Sequence, residues 1–80
     1  MRVLSYTVLF EPQPEGGFTV HVPALPGCIT EGETIEEARR MAADAIRAYC
    51  ESLLADGEPI PPDVAEAPRL EQLKVELARG

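Results

Sequence analysis

Gly16-Gly-Phe-Thr-Val-His-Val-Pro-Ala-Leu-Pro-Gly-Cys-Ile-Thr-Glu-Gly-Glu-Thr-Ile-Glu-Glu37 decides the architecture of this chain. Phe18, Val20 and Val22 alternate with Thr19 and His21, the period of a strand with one packed face. Pro23 ends that strand. Pro26-Gly27 puts proline at i+1 and glycine at i+2, as a type II turn requires. Cys28-Ile29-Thr30-Glu31 then has room for a short strand before Gly32. Thr34-Ile35-Glu36-Glu37 is a capping box: the Thr34 hydroxyl accepts from the Glu37 amide, and the Glu37 carboxylate reaches back to the Thr34 amide. Strand, turn, strand and helix start follow one another within this single stretch.

Working upstream, Arg2 to Phe10 reads as a strand, with Tyr6, Val8 and Phe10 alternating with Ser5, Thr7 and Leu9. Glu11-Pro-Gln-Pro-Glu-Gly-Gly17 breaks it, because Pro12 and Pro14 remove donors while Gly16 and Gly17 permit positive φ. Glu11 and Glu15 are thereby expected in a connecting loop. The even-numbered side of both strands is large and apolar. The odd side is polar except for Leu9, so one face of an antiparallel sheet is packed and the other open.

Working downstream, Ala38, Met41, Ala42, Ala45, Ile46, Tyr49, Leu53 and Leu54 trace one apolar helical stripe. Glu36 with Arg40, and Arg47 with Glu51, are spaced to pair on its polar side. Gly57 is placed to stop the helix. Residues 57–69 read as a proline-stiffened connection. Residues 70–78 are ambiguous: Leu70, Leu73 and Leu77 suit a helix, whereas Leu73, Val75 and Leu77 against Gln72, Lys74 and Glu76 suit a strand. The preceding prolines favour the strand. The expectation is one domain over residues 1–80, an α+β two-layer sandwich in β-β-β-α-β order, its antiparallel sheet covered on one face by one helix. An open face, an exposed edge and a terminal strand on a long tether invite self-association.

A chain of 80 residues buries only about 60% of the surface its unfolded form exposes, so a partner subunit would help it. No apolar run approaches the roughly 20 residues needed to cross a bilayer, and the first residues lack the pattern of a signal peptide. A cytoplasmic location is the simplest expectation. In a cytosolic setting Cys28 and Cys50 read as two separate buried thiols, and zinc is disfavoured because His21 is the sole histidine and no Cys-x-x-Cys is present. The 14 acids against 7 bases give a formal charge of −7. Phosphate neutralisation needs the opposite sign clustered on one face, so nucleic-acid binding is disfavoured; acidity serves solubility or attraction to a basic partner.

Catalytic chemistry finds little foothold. His21 is the one imidazole and sits mid-strand with no serine or cysteine converging on it. Glu31 and Glu33 flank Gly32 before the helix, where capping and the helix dipole account for them without a metal. No phosphate-cradling glycine loop precedes the helix. Neither a cofactor nor a metal site is expected, and no enzymatic activity.

Tyr6-x-Val8-x-Phe10-Glu11, Gly16-Gly17-Phe18-x-Val20-x-Val22-Pro23-x-Leu25-Pro26-Gly27-Cys28-x-Thr30-x-Gly32-x-Thr34-x-Glu36-Glu37-Ala38, then Tyr49, Asp56-Gly57 and Ile60-Pro61 form an ordered set. Together they resemble the HicB antitoxin family, over roughly residues 3 to 62. The resemblance implies a partial ribonuclease-H-like fold without catalytic residues, assembled as dimers or higher oligomers. It also implies a partner, HicA, a small basic messenger-RNA-cleaving toxin with an active-site histidine. On this reading Gly17, Pro23, Pro26, Gly27, Gly32, Thr34 and Glu37 shape the scaffold, while Glu11, Glu15, Glu31 and Glu33 are the candidates to face the toxin. Family members commonly add a C-terminal DNA-binding segment. Only twelve residues follow Pro68 here, too few for a helix-turn-helix, which argues against operator binding by this chain alone. The alternative is an orphan homo-oligomeric module that kept the fold without a toxin.

Overall fold

The alternating segments become three short antiparallel strands, β1 (Leu9–Pro12), β2 (Phe18–His21) and β3 (Ile29–Gly32), in the order β1-β2-β3. A single helix, α1 (Ile35–Ala55), follows them. This is the α+β, β-β-β-α arrangement in a computed structural model that describes residues 3–78. Phe10, Val20 and Thr30 share one rung, and Pro12, Phe18 and Gly32 another. These rungs face α1: Val20 clusters with Ala38 and Ala42, and Phe10 and Phe18 pack against them. The other two rungs, Leu9–His21–Ile29 and Glu11–Thr19–Glu31, point away from the helix, because successive strand residues alternate faces.

Two linked turns carry β2 into β3. The Leu25 amide donates to the Val22 carbonyl and the Cys28 amide to the Leu25 carbonyl, at 3.0 and 2.9 Å. Pro23 and Pro26 follow the first residue of each turn, and Gly27 takes φ +82°, as a type II turn demands. Leu25, between the turns, is fully buried beside Val22, Cys28 and Cys50. The connection is therefore anchored in the core. Cys28 and Cys50 are both free and buried, and they share that one cluster.

Gly32 sets how closely helix and sheet approach. A Cβ there would lie 2.5 Å from the Ala38 nitrogen and 2.7 Å from its Cα. The helix start just beyond it is capped as expected on one side, with the Glu37 amide donating to Thr34 Oγ1 at 3.1 Å. The return bond differs: Glu37 Oε1 accepts from the Glu33 amide, at 3.1 Å, one residue further back than Thr34. At the far end the Gly57 amide reaches the Leu54 carbonyl and the Glu58 amide the Leu53 carbonyl, the paired bonds of a Schellman stop with glycine at φ +70°. Arg47 turns to Asp44 at 3.1 Å rather than to Glu51.

Three expectations are corrected. Pairing of the first strand begins at Leu9, not near Arg2, because β2 is four residues long and offers residues 3–8 nothing to pair with. Arg2 itself lies outside the described residues. Glu11 and Pro12 belong to β1 rather than to the loop; a proline is tolerated in an edge strand, where the missing donor would have faced solvent. The 70–78 segment has no ladder partner in the single chain: over residues 67–77 it is neither helix nor strand.

Residues 3–8 are held instead by the chain returning from the helix. The Tyr6 hydroxyl donates to the Pro61 carbonyl. The Thr7 amide donates to Asp63 Oδ1 at 3.0 Å and the Thr7 hydroxyl to Asp63 Oδ2 at 2.7 Å. These bonds, the hydroxyl's first and the amide's second, hold the Asp63 carboxyl below its ordinary pKa.

Gly32→Ala is expected to cost about 3 kcal/mol in urea unfolding, since backbone must move to admit the methyl group. Because the Asp63 pKa is depressed in the folded state, its stabilisation is complete above the unfolded aspartate range and disappears as pH falls through the folded value. The gap in urea midpoint between wild type and Asp63→Ala is therefore expected to be open at neutral pH and to close in acid.

Candidate functional site

Charge is segregated along the chain before any folding. Residues 3–38 contain Glu11, Glu15, Glu31, Glu33, Glu36 and Glu37 but neither lysine nor arginine; the bases are Arg2, Arg39, Arg40, Arg47, Arg69, Lys74 and Arg79. The whole sheet and both of its connections are thus anionic. Folding then concentrates these acids. The hairpin turn from Gln13 to Gly17 brings Glu15 beside the end of β3, because Gly17 lies against the Gly32 carbonyl: a Cβ at Gly17 would sit 2.9 Å from that oxygen. Its φ of +78° suits glycine for a second reason.

An open cleft of about 400 Å³ results, lined by Glu15, Gly17, Glu31, Gly32, Glu33 and Glu37 among others. Three of the four acids singled out from sequence therefore meet at one place. Glu11 is elsewhere, at the β1 edge, with its Oε1 3.7 Å from His21 Nε2. It is joined to the cleft only through the cross-strand row Glu11–Thr19–Glu31. Beside that row stands Leu9–His21–Ile29, with Ile29 60% exposed. The open face consequently carries two acids either side of Thr19 in one row and two aliphatic residues either side of His21 in the next.

The remaining motif residues stand under this surface or beside it. Gly32, the last residue of β3, is buried against the helix, and Pro23, Pro26 and Gly27 shape the turns around Leu25. Thr34 and Glu37 close the first turn of α1. Sequence reading did not find the acid–threonine–acid row, since only register places Glu11 and Glu31 either side of Thr19. The run of residues 3–38 without a base was visible and pointed the same way.

The chemistry open to such a surface is attraction and contact. The acids near the cleft sit at the surface or are half-buried, where they steer a cationic partner without paying a large desolvation penalty. Burial first, and the neighbouring Cys50 second, push the Cys28 thiol upward, so it stays protonated and unsuited to nucleophilic attack. Among the described residues no group of three or more His, Cys, Asp or Glu side chains is placed to hold a metal ion.

Residues 6–76 match the model of the HicB-like antitoxin of bacterial toxin–antitoxin systems. A UPF0150 protein of Thermoplasma acidophilum is 49% identical over 63 residues, covering 79% of this chain and 91% of that protein. Antitoxin HicB 1 of Photorhabdus laumondii is 43% identical over 76% of this chain, and antitoxin HicB of Escherichia coli K12 38% identical over 72%. These two matches span only 39% and 42% of the antitoxins' own lengths.

Sandwich and surface together define a small α+β module with an anionic, partly apolar open face. The chain belongs to the HicB-like antitoxin family, which supports an antitoxin role.

Because the acidic row is exposed, the double substitution Glu11→Gln, Glu31→Gln is expected to change unfolding free energy by less than about 0.5 kcal/mol. A larger loss in urea titration would mean that these carboxylates serve the fold and not a partner.

Proposed function

We propose that this chain binds and neutralises a small basic messenger-RNA-cleaving toxin of the HicA type, and does so in the cytoplasm as a homodimer or higher homo-oligomer. The observation that carries the reading is the base-free stretch of residues 3–38, folded so that Glu15, Glu31 and Glu33 meet at one cleft. Family membership makes a toxin the natural cationic partner. In this mechanism the acids accelerate encounter, and contact through Thr19, Leu9 and Ile29 then excludes RNA from the toxin's basic surface. The chain itself performs no chemistry, needs no cofactor, and leaves DNA binding to other segments or proteins.

The test is co-purification with, and inhibition of, a HicA-type toxin at about 0.15 M salt, where charges further apart than roughly 8 Å are screened. Glu15→Lys with Glu31→Lys and Glu33→Lys is expected to slow association at least tenfold and to flatten its salt dependence, while the protein stays folded. Unchanged association would remove the acidic cleft from the interface. Failure of the wild type to bind any such toxin would leave the second reading, a homo-oligomeric module without a toxin, which the exposed apolar C-terminal segment favours.

A further inference from the structure

Residues 70–77 present an apolar surface that the rest of the described chain does not cover. Leu70, Leu73, Val75 and Leu77 are between 76% and 96% exposed. Leu73, Val75 and Leu77 alternate with Gln72, Lys74 and Glu76, so an extended backbone would present one apolar and one polar side. The described chain measures 59 × 29 × 19 Å, twice as long as it is broad. Solvated leucines on an unpaired segment have no reason to be extended unless something receives them.

A receiver of matching character exists on the same chain. Between residues 3–6 and α1 lies an apolar groove of about 460 Å³, lined by Val3, Leu4, Ile46, Leu54 and Ile60. Val3, Leu4 and Leu54 are themselves 86%, 39% and 57% exposed. Glu51 also lines it, offering an acid for Lys74, beside Arg47, which is held by Asp44. Tail and groove together hold seven of the ten large hydrophobics that the described chain leaves exposed.

A chain cannot easily fill its own groove. Ile60 forms part of the groove wall and Asp63 is pinned by Thr7, so the tail departs from a fixed point beside it. Reversal would have to occur between Asp63 and Leu70, a stretch that contains Pro68 and no glycine. The chain does bend at Ala65 and Glu66, yet its own Leu70, Leu73, Val75 and Leu77 stay exposed instead of entering the groove. A second copy meets no such constraint, and two copies that exchange tails about a two-fold axis satisfy both grooves and close the assembly.

We propose that residues 70–77 of one chain lie in the Val3–Leu4–Leu54 groove of a second copy, and reciprocally. This assigns a contact to the self-association proposed above and is independent of any toxin. The test combines a tail variant, Leu73→Glu with Leu77→Glu, and a groove variant, Leu54→Glu. Both alter positions that are exposed in the single chain, so circular dichroism should keep the wild-type helix signal, while the urea midpoint should fall by the dimer's contribution and lose its dependence on protein concentration. In size-exclusion chromatography with light scattering, the wild-type mass is expected to correspond to a dimer and to halve in each variant alone. Equal mixing of the two is expected to restore a dimer with one copy of each, seen by native mass spectrometry, because one intact tail then meets one intact groove. Variants that remain dimeric, or a mixture that stays monomeric, overturn the exchange while leaving self-association by another surface standing. A monomeric wild type overturns both, and neither result bears on toxin binding.

Discussion

The close approach of α1 to β3 at Gly32 governs the rest of the molecule. With no side chain at that position, the first helical turn settles directly on the strand, and Ala38 and Ala42 are small enough to follow. The same approach brings Glu37 of the helix to the cleft that Glu31 and Glu33 line. A bulkier residue would lift the helix start, thin the contact with Val20 and spread the acids apart. Scaffold and surface are therefore set by one contact, and the glycine matters to the carboxylates without touching a partner.

Placing acids together costs stability unless solvent or helix dipole absorbs the repulsion. Here both do. The acids lie at or close to the surface, and Glu36 and Glu37 occupy the first turn of α1, where the dipole favours negative charge. Apart from Arg2, the bases fall on the outer part of the helix and in the C-terminal segment. A molecule so divided has a directional field, and its acidic side would meet a cationic protein first.

How much was legible without coordinates depended on how local the information was. The helix, its Thr34 cap and its Gly57 stop were readable because each is decided within a turn of backbone. The Pro26-Gly27 turn was readable for the same reason. Register was not: Glu11 opposite Thr19 depends on which residues of two strands meet, and no spacing rule states it. Pro12 was taken as a breaker because the usual rule describes interior strands, and the edge position that excuses it emerges only from strand order. The Thr7–Asp63 bonds join residues 56 apart and carry no local signature. The last segment stayed ambiguous because its leucines satisfy two periods at once, and a lone chain gives neither period a surface to choose by. Of the candidate acids, three of four were placed together, and Glu11 was set apart by the same register that sequence could not supply.

Pro12 has a further effect on how the protein behaves in a crowded solution. Sheet margins act as templates for runaway polymerisation when every amide along them can bond a newcomer. In β1 one of only four amides is missing, so an incoming strand would find a broken ladder and gain little by lying down there. The molecule is thereby insured against fibril growth along that margin, and any association it undergoes is directed to surfaces that can saturate.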